Sequence, residues 1–455
     1  MKARFIALAC AALVSACSFA PKYERPAAPV ASEFPYPAAA AGTPAAALPW
    51  QQFFPDERLR QLVAIALANN RDLRVAILNI EQARAQYDIR RADIFPTVGA
   101  QLTRVPGSGG SSSSVYTLGI GASAWEIDLF GRVRNLSEAA LAQYLGTQEG
   151  RGAAQISLVA SVANTWLSLV ADDELIALTR QTLSTREESL RLTRLRFENG
   201  VTSEIDMRLA ESLAESARAT LAQLTRQRAL DIDALALLLG QPVPAQMQTP
   251  VGTASVAFPD VPAGTPSEVL AQRPDVRQAE QQLIAANANI GAARAAYFPR
   301  ISLTAGVGRA SPELSGLFKG GGWTWNVAPT LLQTIFDFGR NRANVEVATV
   351  QRDIAIAQYE RAIQSAFREV ADALAARATF GDQLTAQQRV VDAESVRFRL
   401  SSLRYENGVA SYLDLLDAQR SLFIAQQTLV QTKLQQLQAQ VQLYRSLGGG
   451  WTPAP

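Results

Sequence analysis

The chain has 455 residues, a formal net charge of +2, an apolar share of 48% and no histidine. A charge so close to neutral gives no electrostatic footprint for a nucleic-acid partner. Without histidine the commonest general base and metal ligand is missing, and no nucleophile–base or metal-spaced cluster appears, so enzyme, metal and cofactor readings are disfavoured. Cys10 and Cys17 are the only cysteines, and both precede the body of the chain, which therefore carries no disulfide.

At the amino terminus Lys2 and Arg4 precede a short apolar run, Phe5 to Val14, in the pattern of an export signal. The run is too short to span a bilayer as a stable helix. Val14-Ser15-Ala16-Cys17 follows with the small residues of a bacterial lipobox, so cleavage before Cys17 and acylation of that residue are expected. Plain signal-peptidase cleavage beside an incidental cysteine is the alternative. Residues 1–16 thus read as signal and 17–55 as anchor and extended strap, since Pro21, Pro26, Pro29, Pro35, Pro37, Pro44 and Pro49 break any regular element.

The first structural repeat, 56–241, opens with a proline-free helical stretch, about Asp56 to Ile94, that stops before Phe95-Pro96. Two alternating segments follow. Val98, Ala100 and Leu102 interleave with Gly99, Gln101 and Thr103; Tyr116, Leu118, Ile120 and Ala122 interleave with Thr117, Gly119, Gly121 and Ser123. Period two predicts strands with one apolar and one polar face. Next comes a helix from Arg132 to about Phe197, where Val162, Leu169, Ile176, Leu183, Leu190 and Phe197 recur every seventh residue. That repeat fixes a lengthwise packing seam. Asn199-Gly200 closes the helix with residue types that tolerate the left-handed conformation, and Ser203 is placed to cap a return helix ending near Leu239.

After a proline-rich linker, 242–266, the scheme returns in a second repeat, 267–450, ahead of a short tail, 451–455. Arg196-Phe197-Glu198-Asn199-Gly200-Val201 is answered 208 positions later by Arg404-Tyr405-Glu406-Asn407-Gly408-Val409. Phe130-Gly131-Arg132 is answered by Phe338-Gly339-Arg340, and Phe95-Pro96, at an offset of 203, by Phe298-Pro299. Ile301, Leu303, Ala305 and Val307 alternate as before, and so do Trp323, Trp325 and Val327. In the second heptad stripe Val370, Leu384, Val391, Phe398 and Tyr405 keep phase, while Arg377 breaks it. A soluble sandwich would need a covering layer for such strands, whereas an outer-membrane barrel turns apolar residues to lipid and polar ones to a wet lumen. Four strands cannot close a barrel alone; three chains would pool twelve.

Past the second turn Ser411 is the matching cap, and Asp414 and Asp417 are three apart, on one face of the returning helix. Acids in a first helical turn also complement the helix dipole, and copy one has Glu204 and Asp206 there but Leu209 in place of the second acid.

Taken together, Cys17 with Ala20-Pro21-Lys22-Tyr23-Glu24-Arg25-Pro26, then Arg273-Pro274-Asp275-Val276, Ala296-Tyr297-Phe298-Pro299, Phe336-Asp337-Phe338-Gly339-Arg340 and Tyr405-Glu406-Asn407-Gly408-Val409 resemble the bacterial outer-membrane factor family. These are the TolC-like efflux channels, and the similarity is greatest to their lipid-anchored OprM-like branch. The resemblance implies a mainly α fold with a membrane β part. Three chains form a periplasmic α-barrel and, from two hairpins each, a twelve-strand outer-membrane barrel. It implies a homotrimer in outer-membrane lipid, partnered by a periplasmic membrane-fusion adaptor and an inner-membrane RND-type pump. It also implies that Leu413, Asp414, Asp417 and Arg420 belong to a periplasmic gate, with Asn199, Gly200, Asn407 and Gly408 at the periplasmic tip. The function so implied is a passive exit duct for small toxic compounds. A type I protein-secretion channel is the alternative on the same architecture, and a lipid-anchored coiled-coil fibre is disfavoured by the paired hairpins.

Overall fold

The computed structural model describes residues 19–36, 43–106, 114–248, 252–253, 256–319 and 322–451. The signal segment, Cys17, most of the first hairpin loop and the end of the tail lie outside them. Copy one supplies α1 (Glu57–Asn69), α2 (Arg71–Ala92), β1 (Val98–Val105), β2 (Val115–Glu126), α3 (Arg132–Glu198) and α4 (Glu204–Leu239). Copy two supplies α5 (Pro266–Gln272), α6 (Pro274–Ala295), β3 (Arg300–Ser311), the one-turn α7 (Gly316–Lys319), β4 (Gly322–Leu332), α8 (Arg340–Glu406) and α9 (Tyr412–Ser446). The duplication is kept in length: α3 and α8 each have 67 residues.

One expected helix is two. Asn70 takes an extended conformation between α1 and α2, caps α2 by accepting from Leu73 N at 2.8 Å, and donates to Leu238 O at 2.9 Å. In copy two Arg273 stands in the same place. Its guanidinium donates to Ser446 O at 2.8 Å, to both oxygens of Asp275, and to Glu369 at 2.8 Å, with the side chain only 8% exposed. Ser446 and Leu238 are themselves 208 apart, so different side chains make the same tie in both copies. A short turn also appears inside the strap, Ala45–Ala47, just before a one-turn helix at Trp50–Phe53.

The described chain forms two compact units, each drawn from both repeats. The first comprises 19–28, 77–150 and 277–362. Its centre is an antiparallel sheet in the order β1-β2-β3-β4. Register places Leu102 beside Leu118, Ile120 beside Val307, and Val307 beside Trp325, which gives one apolar face with Ile120, Trp323, Trp325 and Val327 exposed. The other face is polar and lines a cavity with Gln101, Thr103, Thr117, Thr304, Thr324 and Asn326. Glycines pair across the middle of that face, Gly119 with Gly308 and Gly121 with Gly306. A Cβ on Gly121 would sit 2.5 Å from Ala305 O, and one on Gly119 would sit 2.7 Å from Val307 O. The β2 and β3 backbones therefore approach closely enough to bend only because no side chain intervenes. A bulge between Ala122 and Trp125, with Ala124 at φ 52°, adds to that bend.

The strap lies along α6 in the same unit. Arg25 donates to both Glu280 oxygens at 2.7 Å, Tyr23 donates to Glu280 at 3.0 Å, and Asn287 donates to Pro21 O at 2.7 Å. Gly291 leaves room for Ala20, whose backbone nitrogen would lie 2.7 Å from an added Cβ.

The second unit comprises the described residues of 29–76, 151–276 and 363–451. Leu59, Leu62, Val63 and Ala66 of α1 bury against Val162, Trp166 and Leu167 of α3, with Leu235, Leu239, Val370, Leu374, Leu437 and Val441 completing the core. Phe53 stacks on Tyr444 with ring centres 3.9 Å apart. The heptad stripe enters this core at Val162 and Leu169, stays buried at Ile176, is half-buried at Leu183 and Leu190, and is exposed at Phe197. Arg377, which interrupts the second stripe, is ion-paired with Asp260 of the inter-repeat linker.

The glycine pairing generates a prediction. Gly121→Val and Gly308→Val are each expected to prevent stable β2–β3 pairing, whereas Thr117→Val on the same face is expected to be tolerated. Protease resistance of the membrane-inserted protein measures this, and full resistance of both glycine variants would refute the close-approach argument.

Candidate functional site at the helix turns

Two turns of nearly identical construction lie in the second unit. Where α3 ends, Gly200 N donates to Phe197 O at 2.9 Å and Val201 N to Arg196 O at 2.8 Å; where α8 ends, Gly408 N donates to Tyr405 O at 3.0 Å and Val409 N to Arg404 O at 2.8 Å. This is a Schellman closure, and both glycines sit at φ 71°. Asn199 and Asn407 return their side-chain amides to Leu195 O and Leu403 O, each at 2.7 Å.

The return helices start alike too. Ser203 Oγ accepts from Asp206 N at 3.2 Å, and Ser411 Oγ accepts from Asp414 N at 3.2 Å. Each acid reaches back to the serine, closing a capping box in both copies. Asp414 thus has a structural partner and a repeat-equivalent, Asp206. The Asp206 carboxyl is held below the usual range by Thr202 and Ser203, against the opposing effect of partial burial.

Asp417 has no such counterpart. It ion-pairs with Arg397 of α8 and, at 2.9 Å, with Arg420 one turn on; Arg397 also reaches Glu394 at 3.1 Å. The hydrogen bond from Arg397, aided by Arg420, holds the Asp417 carboxyl below the ordinary carboxylate range. Copy one has Leu209, Ser189 and Ser212 at the three positions. The Asp417 clasp is therefore particular to the second turn, while the helices of copy one are tied elsewhere, by Arg218 to Glu187 at 2.6 Å. Arg397 was not singled out from sequence; comparing the two copies residue by residue is the signal that finds it.

Beneath the turns Ala210, Tyr412 and Leu416 are buried together, with Leu190, Leu209, Leu213, Tyr405 and Leu415 packed against them. Tyr412 shares a hydrogen bond with Ser189 at 2.8 Å, and Arg196 donates to Tyr405 Oη at 2.6 Å. At the turns themselves Val201 and Ile205, and their equivalents Val409 and Leu413, are exposed. Of the residues expected in a gate, Asp417 and Arg420 are brought together, Asp414 is engaged in its cap, and Leu413 projects as part of an apolar surface. Cys17 lies outside the described residues.

A duplicated chain with these paired turns and a four-stranded sheet of one apolar and one polar face has the elements of an outer-membrane efflux channel. The outer membrane efflux protein family matches over residues 62–241 and 265–449, and the chain belongs to it. It is 47% identical to the toluene efflux pump outer membrane protein TtgC of Pseudomonas putida, over 96% of this chain and 94% of that one. A crystal structure of a membrane protein from Pseudomonas aeruginosa matches with a TM-score of 0.89 at 45% identity, covering 96% of this chain and 98% of that one. The open-state outer-membrane channel MtrE of Neisseria gonorrhoeae matches with a TM-score of 0.88 at 41% identity, covering 95% and 98%. The fold is TolC-like, the place of action is the bacterial outer membrane, and the function is that of an efflux channel.

An exposed ion pair is a weak, reversible restraint, suited to being broken. Because the Asp417 carboxyl is depressed, its contribution to the folded turn is present above the ordinary carboxylate value and lost as pH falls through the lowered one, below about 4. Arg397→Ala is expected to speed amide exchange at 397–420 at neutral pH without affecting 189–212. Acid below about pH 4 is expected to lower protection of the same segment in the native chain, relative to the intrinsic exchange rate at that pH, and to add nothing in Asp417→Asn. Equal exchange in all three at neutral pH would show that the clasp restrains nothing.

Proposed function

We propose that the chain acts as a homotrimer, a passive exit duct for small toxic compounds at the outer end of a tripartite efflux system. The observation that carries this reading is a sheet with an exposed apolar face and, among the described residues, two unpaired edges, in a chain of the efflux-protein family. Three copies supply twelve strands, enough for a closed barrel with a wet lumen. The long helices, whose heptad stripes lose their cover toward the turns, pool into a periplasmic α-barrel. A periplasmic membrane-fusion adaptor docks on the exposed apolar turns at Val201, Ile205, Val409 and Leu413, and an inner-membrane RND-type pump supplies the energy. A small-molecule cargo is favoured over a secreted protein by the relative whose name specifies toluene. No catalytic role is assigned to any residue.

The anchor is an acylated Cys17. The strap on α6 supports it, since Phe19, two residues on, is fixed by Arg294, which donates to its carbonyl at 3.2 Å, and by stacking on Phe298. Mass spectrometry of the mature amino terminus is expected to find an acylated cysteine; an unmodified start elsewhere rules this out.

The gate is the second turn, where three chains would bring together Asp414 and Asp417 of each copy. Purified protein in planar bilayers is expected to conduct with cation preference and to be blocked by multivalent cations. Asp414→Asn/Asp417→Asn keeps the acceptor that caps the helix while removing the charge. It is expected to assemble normally and to lose much of that preference and block, with Glu204→Gln/Asp206→Asn as control. Unchanged selectivity in the first pair would return both acids to ordinary helix-start roles.

A further inference from the structure

The duplication makes one aromatic contact inside the chain and leaves its twin unmade. Phe95 and Phe298 hold equivalent places where a helix gives way to the first strand of each hairpin. Phe95 N donates to Ala92 O at 2.9 Å and Phe298 N to Ala295 O at 3.1 Å. Phe130 and Phe338 are equivalent at the other end of each hairpin, where Asn135 N donates to Gly131 O and Ala343 N to Gly339 O, both at 2.9 Å. Even the tie across each hairpin base is repeated: Trp125 Nε1 donates to Ile94 O at 3.1 Å and Gln333 Nε2 to Tyr297 O at 3.3 Å.

Between the copies Phe130 stacks on Phe298, with centres 4.8 Å apart and planes at 18°. This follows the pairing of β2 with β3. The corresponding contact, Phe338 on Phe95, is not formed. Phe338 is 91% exposed and Phe95 67% exposed. They cannot meet within one chain, because Phe95 leads into β1 and Phe338 follows β4, the two outer strands of the sheet. Phe338 is also held at φ 55°, in the left-handed region that disfavours a non-glycine residue, and Phe130 is not. Phe336 stands against Phe338 in a T-shaped pair at 4.5 Å, where copy one has Asp128, so the unseated patch is more apolar than its internal counterpart.

We infer that Phe338, with Phe336, is a docking element whose partner is a second copy of this chain, and that its seat there is Phe95. The inference rests on the homotrimer proposed above and specifies which surfaces meet. Such a contact is heterologous, head to tail, and closes when three copies form a ring. The ring then contains six equivalent aromatic seats, three within chains and three between them, so the same junction alternates around the base of the barrel.

Co-expression of two full-length, differently tagged chains tests it, one carrying Phe95→Cys and the other Phe338→Cys. After treatment with a short bismaleimide, a covalent product containing both tags is expected, and neither variant expressed alone is expected to give it. Phe130→Cys/Phe298→Cys in one chain is expected to link within that chain only. As a second readout, Phe338→Ala is expected to lower the temperature at which the complex dissociates, and Phe338→Trp to retain it. A parent complex that runs as a trimer without the two-tag product overturns the aromatic seat and leaves the trimer standing. A parent that runs as a monomer in mild detergent overturns both.

Discussion

In hydrocarbon every backbone polar group must find its partner within protein, and a sheet with open edges cannot exist there. Among the described residues the four strands pair with each other from β1 to β4, and one edge of β1 and one of β4 have no strand beside them. Their apolar face, with Trp323, Trp325 and Val327 exposed, is placed for lipid, and the glycine-lined polar face for a lumen. The sheet is thus open at both sides, as a segment of a larger barrel would be. On the proposed assembly, the duplicated helices, the exposed ends of the heptad stripes and the strap on α6 all follow from completing that barrel.

Duplication does not make the halves identical, and the differences are informative. Both turns share the glycine closure and the serine–aspartate box, so those features serve the turn as structure. Asp417 with Arg397 and Arg420 occurs only in copy two, where copy one has a leucine and two serines. The first turn has ion pairs of its own, Arg208 with Glu204 and Glu211 and Arg218 with Glu187, so the two turns differ in where their charges sit.

Much of this was readable from local chemistry. Asn-Gly followed by serine marks both turns because the left-handed residue and the cap need those types, and period-two alternation marks all four strands. The 67-residue lengths of α3 and α8 follow from the absence of proline. What escaped depends on contacts distant in sequence. Asn70 breaks a helix because Leu238 offers it an acceptor, and Arg397 matters because α9 returns Asp417 beside it. Docking of the strap through Tyr23 and Arg25 required knowing that Glu280 faces it. Asp414 carries two readings at once: it is the third-residue partner of Ser411 in the capping box of α9, and it is one of the two acids proposed for the gate.

On the proposed assembly β1 and β4 are not edges in the working protein. Amide hydrogen exchange on the membrane-inserted protein measures this strand by strand. Val98–Val105 and Gly322–Leu332 are expected to exchange as slowly as the inner strands Val115–Glu126 and Arg300–Ser311, because neighbouring copies would pair with both. Fast exchange confined to β1 and β4, with the inner strands protected, would contradict it.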